Sequence, residues 1–286
     1  MNKKEFDIFF KPYSKNVDNA NRHGFWKLSD ALITQIIKDN IPVKINKDSV
    51  ILDAGGGTGR WVCDLSKIYK SKFIVYDLSR DMLEKAEDNI RKANIENRVK
   101  LIEGNLKNME GLESESIDYI VSIYSPISFV YEKERVFSEL FRVLKKHGKI
   151  IIMGHGFYNA VASKINNYCA NTKELEVLDN EKMIKWGEHV PKLNIFSKET
   201  MEDNLKQAGF SLDKTYGVPI FVQPGSEDFD SDNAKKSRIS VALEKKDFFK
   251  KIFELEMKYN SQPTVANRGM NIFSVAIKKD KVYEDN

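Results

Sequence analysis

The sequence predicts an α/β fold, a mostly parallel sheet with helices on both faces. Short apolar runs recur at residues 50–54, 73–77, 99–103, 116–124 and 149–153. Segments with helical apolar spacing alternate with them, the arrangement that βαβ units require. At the end of the first run Gly55, Gly56, Gly57 and Gly59 crowd a tight turn, and residues 60–69 then read as a helix with Trp61, Leu65 and Ile68 on one face.

Composition sets the limits. A chain of 286 residues with 41% hydrophobic content can bury a sizeable core in one large domain with insertions. The net charge of +4 is the small difference between 46 basic and 42 acidic residues. Such mixing reads as a solvated surface and makes a nucleic-acid partner unlikely on charge grounds. Cys63 and Cys169 form no C-x-x-C pair, which predicts a reduced, cytoplasmic setting. No apolar run reaches spanning length, and residues 1–11 lack the apolar core of a signal peptide, so no membrane association is expected.

Residues 1–44 precede the first strand. Leu28, Leu32, Ile33, Ile36 and Ile37 predict a helix that packs on the sheet. Tyr13, His23 and Trp26 lie in an aromatic stretch that is costly to expose without a partner and is expected to form a lid.

Residues 50–61 carry the most information. Val50, Ile51 and Leu52 lead to Asp53, and Gly55, Gly57 and Gly59 complete the pattern D-x-G-x-G-x-G. A strand, a glycine turn and a helix N-terminus together present exposed backbone N–H groups. Glycine is required because a Cβ would hold a ligand off the backbone and penalise positive φ. A dinucleotide fold would need glycine in place of Arg60, and would set a pyrophosphate against Asp53. An acid here suits instead a ligand with a cationic end and no phosphate. S-adenosylmethionine (AdoMet) carries both an ammonium and a sulfonium. The stretch resembles motif I of the class I AdoMet-dependent methyltransferases.

The second run ends in Asp77, where a strand end presents a carboxylate to a ribose diol. Ser79 caps the next helix, with Met82, Leu83, Ala86 and Ile90 inward. The third run leads to Gly104, Asn105 and Leu106. The family usually carries an aspartate at the position of Asn105, to accept from the adenine amino group; the asparagine amide oxygen can accept the same bond without charge. The fourth run ends in Tyr124, Ser125 and Pro126. The family's base-methylating members carry a second proline and an aromatic here, which Ile127 and Ser128 do not supply. An amphipathic helix at residues 134–146 leads to the fifth run, followed by His155 between Gly154 and Gly156.

The resemblance covers residues 45–155 with motifs in order, and residues 197–216 and 270–278 more loosely. It implies seven strands in the order 3-2-1-4-5-7-6. The expected divisions are an N-terminal lid segment at 1–44, an AdoMet-binding Rossmann-like core at 45–156, a substrate-selecting insertion at 157–196, and the end of the sheet at 197–286 with a helical insertion at 218–269. The implied cofactor contacts are Asp53, Gly55, Gly57, Gly59, Asp77, Leu78, Met82, Gly104, Asn105, Leu106 and Ser122.

The implied chemistry is in-line methyl transfer to an O, N or C nucleophile of a small molecule. A base is needed only for a protonated nucleophile. Candidates for it are Tyr124, His155, Glu188, His189 and Tyr13; candidates for substrate contact are Tyr13, Trp26, Tyr124 and Trp186. No His–carboxylate or paired-cysteine spacing points to a metal. An RNA or protein methyltransferase and a non-catalytic AdoMet-binding protein remain as alternatives. A Phe-rich helix at residues 244–259 has more apolar surface than one stripe needs, and is expected to cover the active site or pair with a second subunit in a homodimer.

Overall fold

The computed structural model describes residues 8–11, 18, 23–188, 190–229 and 235–279. Tyr13 and His189 lie outside the described residues. The strands are β1 (Val50–Ala54), β2 (Lys72–Asp77), β3 (Val99–Glu103), β4 (Ile117–Ser122), β5 (Leu144–Gly156), β6 (Met183–Ile184), β7 (Leu193–Phe196), β8 (Ser211–Val218) and β9 (Asn271–Ile277). Five parallel strands run β3-β2-β1-β4-β5, and β9 lies antiparallel between β5 and β8. β9 and β8 thus occupy the places expected for the last two strands.

The strand count departs from the seven expected: there are nine among the described residues. β5 outruns β4, whose last partner is Ile152. Its exposed backbone continues pairing with β7 at His155 and Gly156, because unpaired N–H and C=O groups are costly to bury. β6 then pairs antiparallel with β7. These short strands lacked the length and alternation that mark a strand in the sequence.

The helices are α1 (Gly24–Asn40), α2 (Arg60–Leu65), α3 (Arg80–Lys92), α4 (Lys133–Val143), α5 (Phe157–Asn166), α6 (Thr172–Glu181), α7 (Lys198–Gln207), α8 (Arg238–Ala242), α9 (Lys246–Tyr259) and α10 (Pro263–Ala266). One core layer joins Phe25, Leu28, Leu32 and Ile36 of α1 to Trp61, Tyr69 and the facing side of the sheet. On the other face Phe137 and Leu140 of α4 pack with Met201 and Leu205 of α7. A third, smaller cluster unites Ala160, Leu178, Ile184 and Leu193 within residues 157–196.

α2 stops at Leu65, four residues short of the expected helix, and the following turn buries Tyr69, whose hydroxyl donates to the Ile41 carbonyl at 3.1 Å. Much of the apolar surplus of the Phe-rich helix is absorbed internally: Phe249, Ile252, Phe253 and Met257 of α9 pack on the layer that holds α1. On the same helix Glu256 is fully buried and accepts the backbone N–H groups of Ile220, Phe221 and Val222 at 2.7–3.0 Å. That carboxylate pins the chain that leaves β8. Among the described residues no helix is long and apolar enough to cross a membrane.

Candidate active site

All five parallel strands deliver their carboxyl ends to one edge of the sheet, where ligands of open α/β sheets bind. At the end of β1 the chain turns through Gly55, Gly57 and Gly59, with φ of +77°, +53° and +67°. Gly57 explains the residue choice on its own. Its φ lies in the left-handed region, and among the described residues a Cβ there would meet nothing nearer than the Met82 sulfur at 4.0 Å. The turn is therefore open at Gly57, as a backbone cradle for a ligand must be, while a Cβ at Gly55 or Gly59 would meet Pro126 or Ala86.

Asp53 lies beneath this turn, 1% exposed, and its Oδ2 has no hydrogen-bond partner among the described residues. Burial pushes its carboxyl up to about 7, the neighbouring Asp77 adds to the shift, and Arg60 opposes it. A buried acceptor left open is costly unless a ligand supplies a donor. Asp77, at the end of β2, accepts the Gly57 N–H at 2.9 Å on one oxygen and the Ser79 N–H at 2.9 Å on the other. Its carboxyl is raised by burial, against the pull of those backbone donors. Asp77 thus also builds the turn.

Met82 sits behind the Ser79 cap of α3, donating its N–H to the Ser79 hydroxyl oxygen. Leu106 is buried with its Cδ1 3.8 Å from where a Gly55 Cβ would stand, a position that Pro126 crowds at 2.4 Å. Gly104 is confined by the Tyr76 hydroxyl. Asn105 is exposed at a cleft of about 490 Å³ shared with Tyr76 and Arg135, and its amide oxygen accepts the Lys107 N–H at 3.0 Å. Leu78 is half-buried between Asp77 and Ser79. Ser122 differs from its expected part: it is 2% exposed and its hydroxyl donates to the Ala54 carbonyl at 2.8 Å, a link between β4 and β1.

Beyond β4, Tyr124 adopts φ of +59°. Its phenol donates to the Asp30 carboxylate of α1, which Arg60 also holds through Nη1 at 2.7 Å and Nη2 at 3.3 Å. Burial and the Asp30 charge push the Tyr124 phenol well above its ordinary value. Burial raises Asp30, with Arg60 pulling it back. The Arg60 guanidinium lies 4.9 Å from the Trp61 ring centre and 5.5 Å from that of Tyr124. Trp26 stacks edge-on against Tyr124 at 5.6 Å and Phe229 at 5.7 Å, and its indole N–H donates to the Asp228 carbonyl.

His155 lies on β5 opposite Asn271 of β9. Burial lowers its imidazole to about 4, with the Asn271 side chain as a weaker opposing influence. Asn271 in turn accepts the Ser125 hydroxyl at 3.1 Å. Trp186 sits apart from this wall, with the 157–196 cluster and near Tyr168 at 5.6 Å. Sequence reasoning thus brought Asp53, the glycines, Asp77, Met82 and Leu106 to one place. It missed Asp30, and it read Arg60 only as a residue that is not glycine.

A family model described as a methyltransferase domain matches residues 51–148. That span runs from β1, which leads into the glycine turn, to the start of β5. Residues 51–148 carry a methyltransferase domain, on a Rossmann-like α/β fold.

The ubiquinone/menaquinone biosynthesis C-methyltransferase of Vibrio vulnificus is 29% identical to the chain over 105 residues, 36% of this chain and 40% of that protein. The phosphatidylethanolamine N-methyltransferase of Cereibacter sphaeroides is 29% identical over 107 residues, 37% of this chain and 50% of that protein. The chain spans half or less of the length of these curated relatives. Among solved structures, a SAM-dependent methyltransferase of Thermotoga maritima, described as a possible histamine N-methyltransferase, superposes with a TM-score of 0.57 at 19% identity, covering 96% of this chain and 99% of that one. That likeness is one of fold. S-adenosylmethionine is the cofactor that a methyltransferase domain implies, and the residues at the turn suit it: Asp53 Oδ2 is an open buried acceptor among the described residues, and Gly57 leaves the backbone approachable.

Proposed function

We propose that the protein is an enzyme that methylates a small molecule, the acceptor atom being O, N or C. The observation that carries the reading is the unpartnered Asp53 oxygen beneath a glycine turn whose Gly57 faces open space. AdoMet, when bound, supplies an electrophilic methyl on a positively charged sulfur.

The chain's own residues do the rest. Asp53 would face the cationic end of the cofactor, and becomes fully ionised as that charge offsets its burial. Asp77 would hold the ribose diol with the lone pairs its backbone donors leave. Leu106 and Met82 would flank the adenine, with Leu78, Gly104 and Asn105 along its edge. Trp26, Trp61 and Tyr124 form an apolar wall that excludes water from the reacting atoms. His155, neutral at neutral pH, can accept a proton from an acceptor group within its reach. Tyr124 is held neutral and can donate or align. Trp186 would contact only a substrate long enough to reach the 157–196 segment.

A small acceptor is favoured because the two curated relatives are named for a quinone pathway and a phospholipid. The test is calorimetric titration with AdoMet and S-adenosylhomocysteine, followed by an acceptor screen that reads S-adenosylhomocysteine release. Micromolar binding with turnover supports the reading. Binding without turnover on any acceptor class favours a non-catalytic AdoMet protein. Absence of binding to either compound overturns both.

A further inference from the structure

We propose that the face built by α8 and the first half of α9 docks on an anionic lipid surface. Residues 235–251 contain seven basic and two acidic side chains, a net +5, where the whole chain nets +4. The rest of the chain is therefore net −1, and the positive charge expected to be dispersed is concentrated in one segment. All seven of these basic residues are exposed, as are the two acids, Glu244 and Asp247. Glu244 is already engaged by Lys236. Asp230 and Asp232 precede the segment in sequence and lie outside the described residues.

The backbone beneath is fixed. Ser237 and Ser240 donate their hydroxyls to the fully buried Asp228 at 2.6 Å each, and the Phe25 N–H donates to the Ser240 hydroxyl oxygen at 2.9 Å. Phe249, Ile252 and Phe253 turn inward. What remains outward are lysines interleaved with large apolar side chains: Val241 is 49% exposed and Phe248 38%. Phe229, 55% exposed, stands next to Trp26.

Lysines with exposed apolar side chains between them match an anionic bilayer, whose surface attracts the cations while its headgroup region takes the apolar tips. Nucleic acid would use the same charge but favours planar arginine and stacking platforms; six of the seven cations here are lysine. An acidic protein partner would leave the exposed Val241 and Phe248 unexplained unless it brought its own apolar pocket. The face also lies near the candidate active site. Ser240 of α8 holds the Phe25 N–H, and the adjacent Trp26 packs on Tyr124 at 5.6 Å.

The experiment is co-sedimentation of the full chain with vesicles of phosphatidylcholine alone and with added phosphatidylglycerol. Binding to the anionic vesicles that falls steeply as salt rises from about 0.05 to 0.5 M is expected. Lys250→Gln with Lys251→Gln should weaken it about 30-fold, at ~1 kcal/mol per lysine, and Phe248→Ser should weaken it further. None of these residues touches the cofactor turn, so AdoMet affinity of the variants serves as the check on folding. Equal binding to both vesicle types, no binding to either, or capture of single-stranded RNA in preference to anionic vesicles would each overturn the proposal. The readout is independent of methyl transfer, so its failure leaves the proposed activity standing.

Discussion

The phenolic hydroxyl of Tyr124 donates to the carboxylate of Asp30, a residue 94 positions earlier on a different element. Arg60, directly after the glycine turn, clasps the same carboxylate with two nitrogens. One acid therefore ties α1, the cofactor turn and the end of β4 into a single unit. Its removal leaves a largely buried guanidinium with the more distant Asp64 carboxylate, at 3.8 Å, as its remaining ion-pair partner among the described residues.

Asp30→Ala should destabilise the fold by about 2 kcal/mol, below the cost of breaking a fully buried pair because both partners keep some solvent. Asp30→Asn retains an acceptor and should cost less. Urea unfolding of both variants measures the difference. Equal stability of Asp30→Ala and the unaltered protein would show that Arg60 finds another partner.

Asp53 gives a pH signature. Its folded value of about 7 lies above the ordinary 3.8, so the folded state holds the extra proton between those limits. The stability this proton brings is present at low pH and is lost as pH rises towards 7. Asp53→Asn removes the titration. The ligand-free variant should melt higher than the unaltered protein at pH 8, the gain shrinking towards pH 5, while its AdoMet affinity falls. Parallel melting curves across pH would place the charge elsewhere.

His155 titrates in the opposite sense. With its imidazole lowered to about 4, the unfolded chain binds the proton first as pH falls below the ordinary 6.5, and stability declines from there to about 4. His155→Gln should flatten that acid limb in thermal melts. An unchanged limb would assign it to another group.

Asp77 carries two loads, because its oxygens accept both the Gly57 and Ser79 N–H groups. Asp77→Ala should weaken AdoMet binding by 10-fold or more, on the order of 1.4 kcal/mol, and also lower stability by about 1–3 kcal/mol for the unsatisfied donors. Asp77→Asn, which can still accept, separates the two: calorimetry should show the affinity loss with a smaller drop in melting temperature.

Glu256→Ala should uncover three backbone N–H groups after β8 and cost about 3 kcal/mol. Hydrogen exchange at residues 220–222 would accelerate first. Protection unchanged at those amides would mean that the carboxylate does not hold them.

The sequence by itself determined the parallel core and the glycine turn, since both are written in local patterns. Apolar runs mark buried strands, and glycines at Gly55, Gly57 and Gly59 mark where backbone needs positive φ. Asp53 and Asp77 were legible because each ends a strand whose direction was already clear. Tertiary structure alone decided the partners that come from distant positions: Asp30 with Arg60 and Tyr124, Glu256 with residues 220–222, Asp228 with Ser237 and Ser240. No local period records such pairs, because each carboxylate is equally at home in water until folding buries it. β6 and β7 were likewise invisible, being too short to show alternation and existing only because β5 outran β4. The charge divides in the same way: the net +5 of residues 235–251 is written in the sequence, and the fold decides that those cations stand exposed beside Val241 and Phe248 while Phe249, Ile252 and Phe253 turn inward.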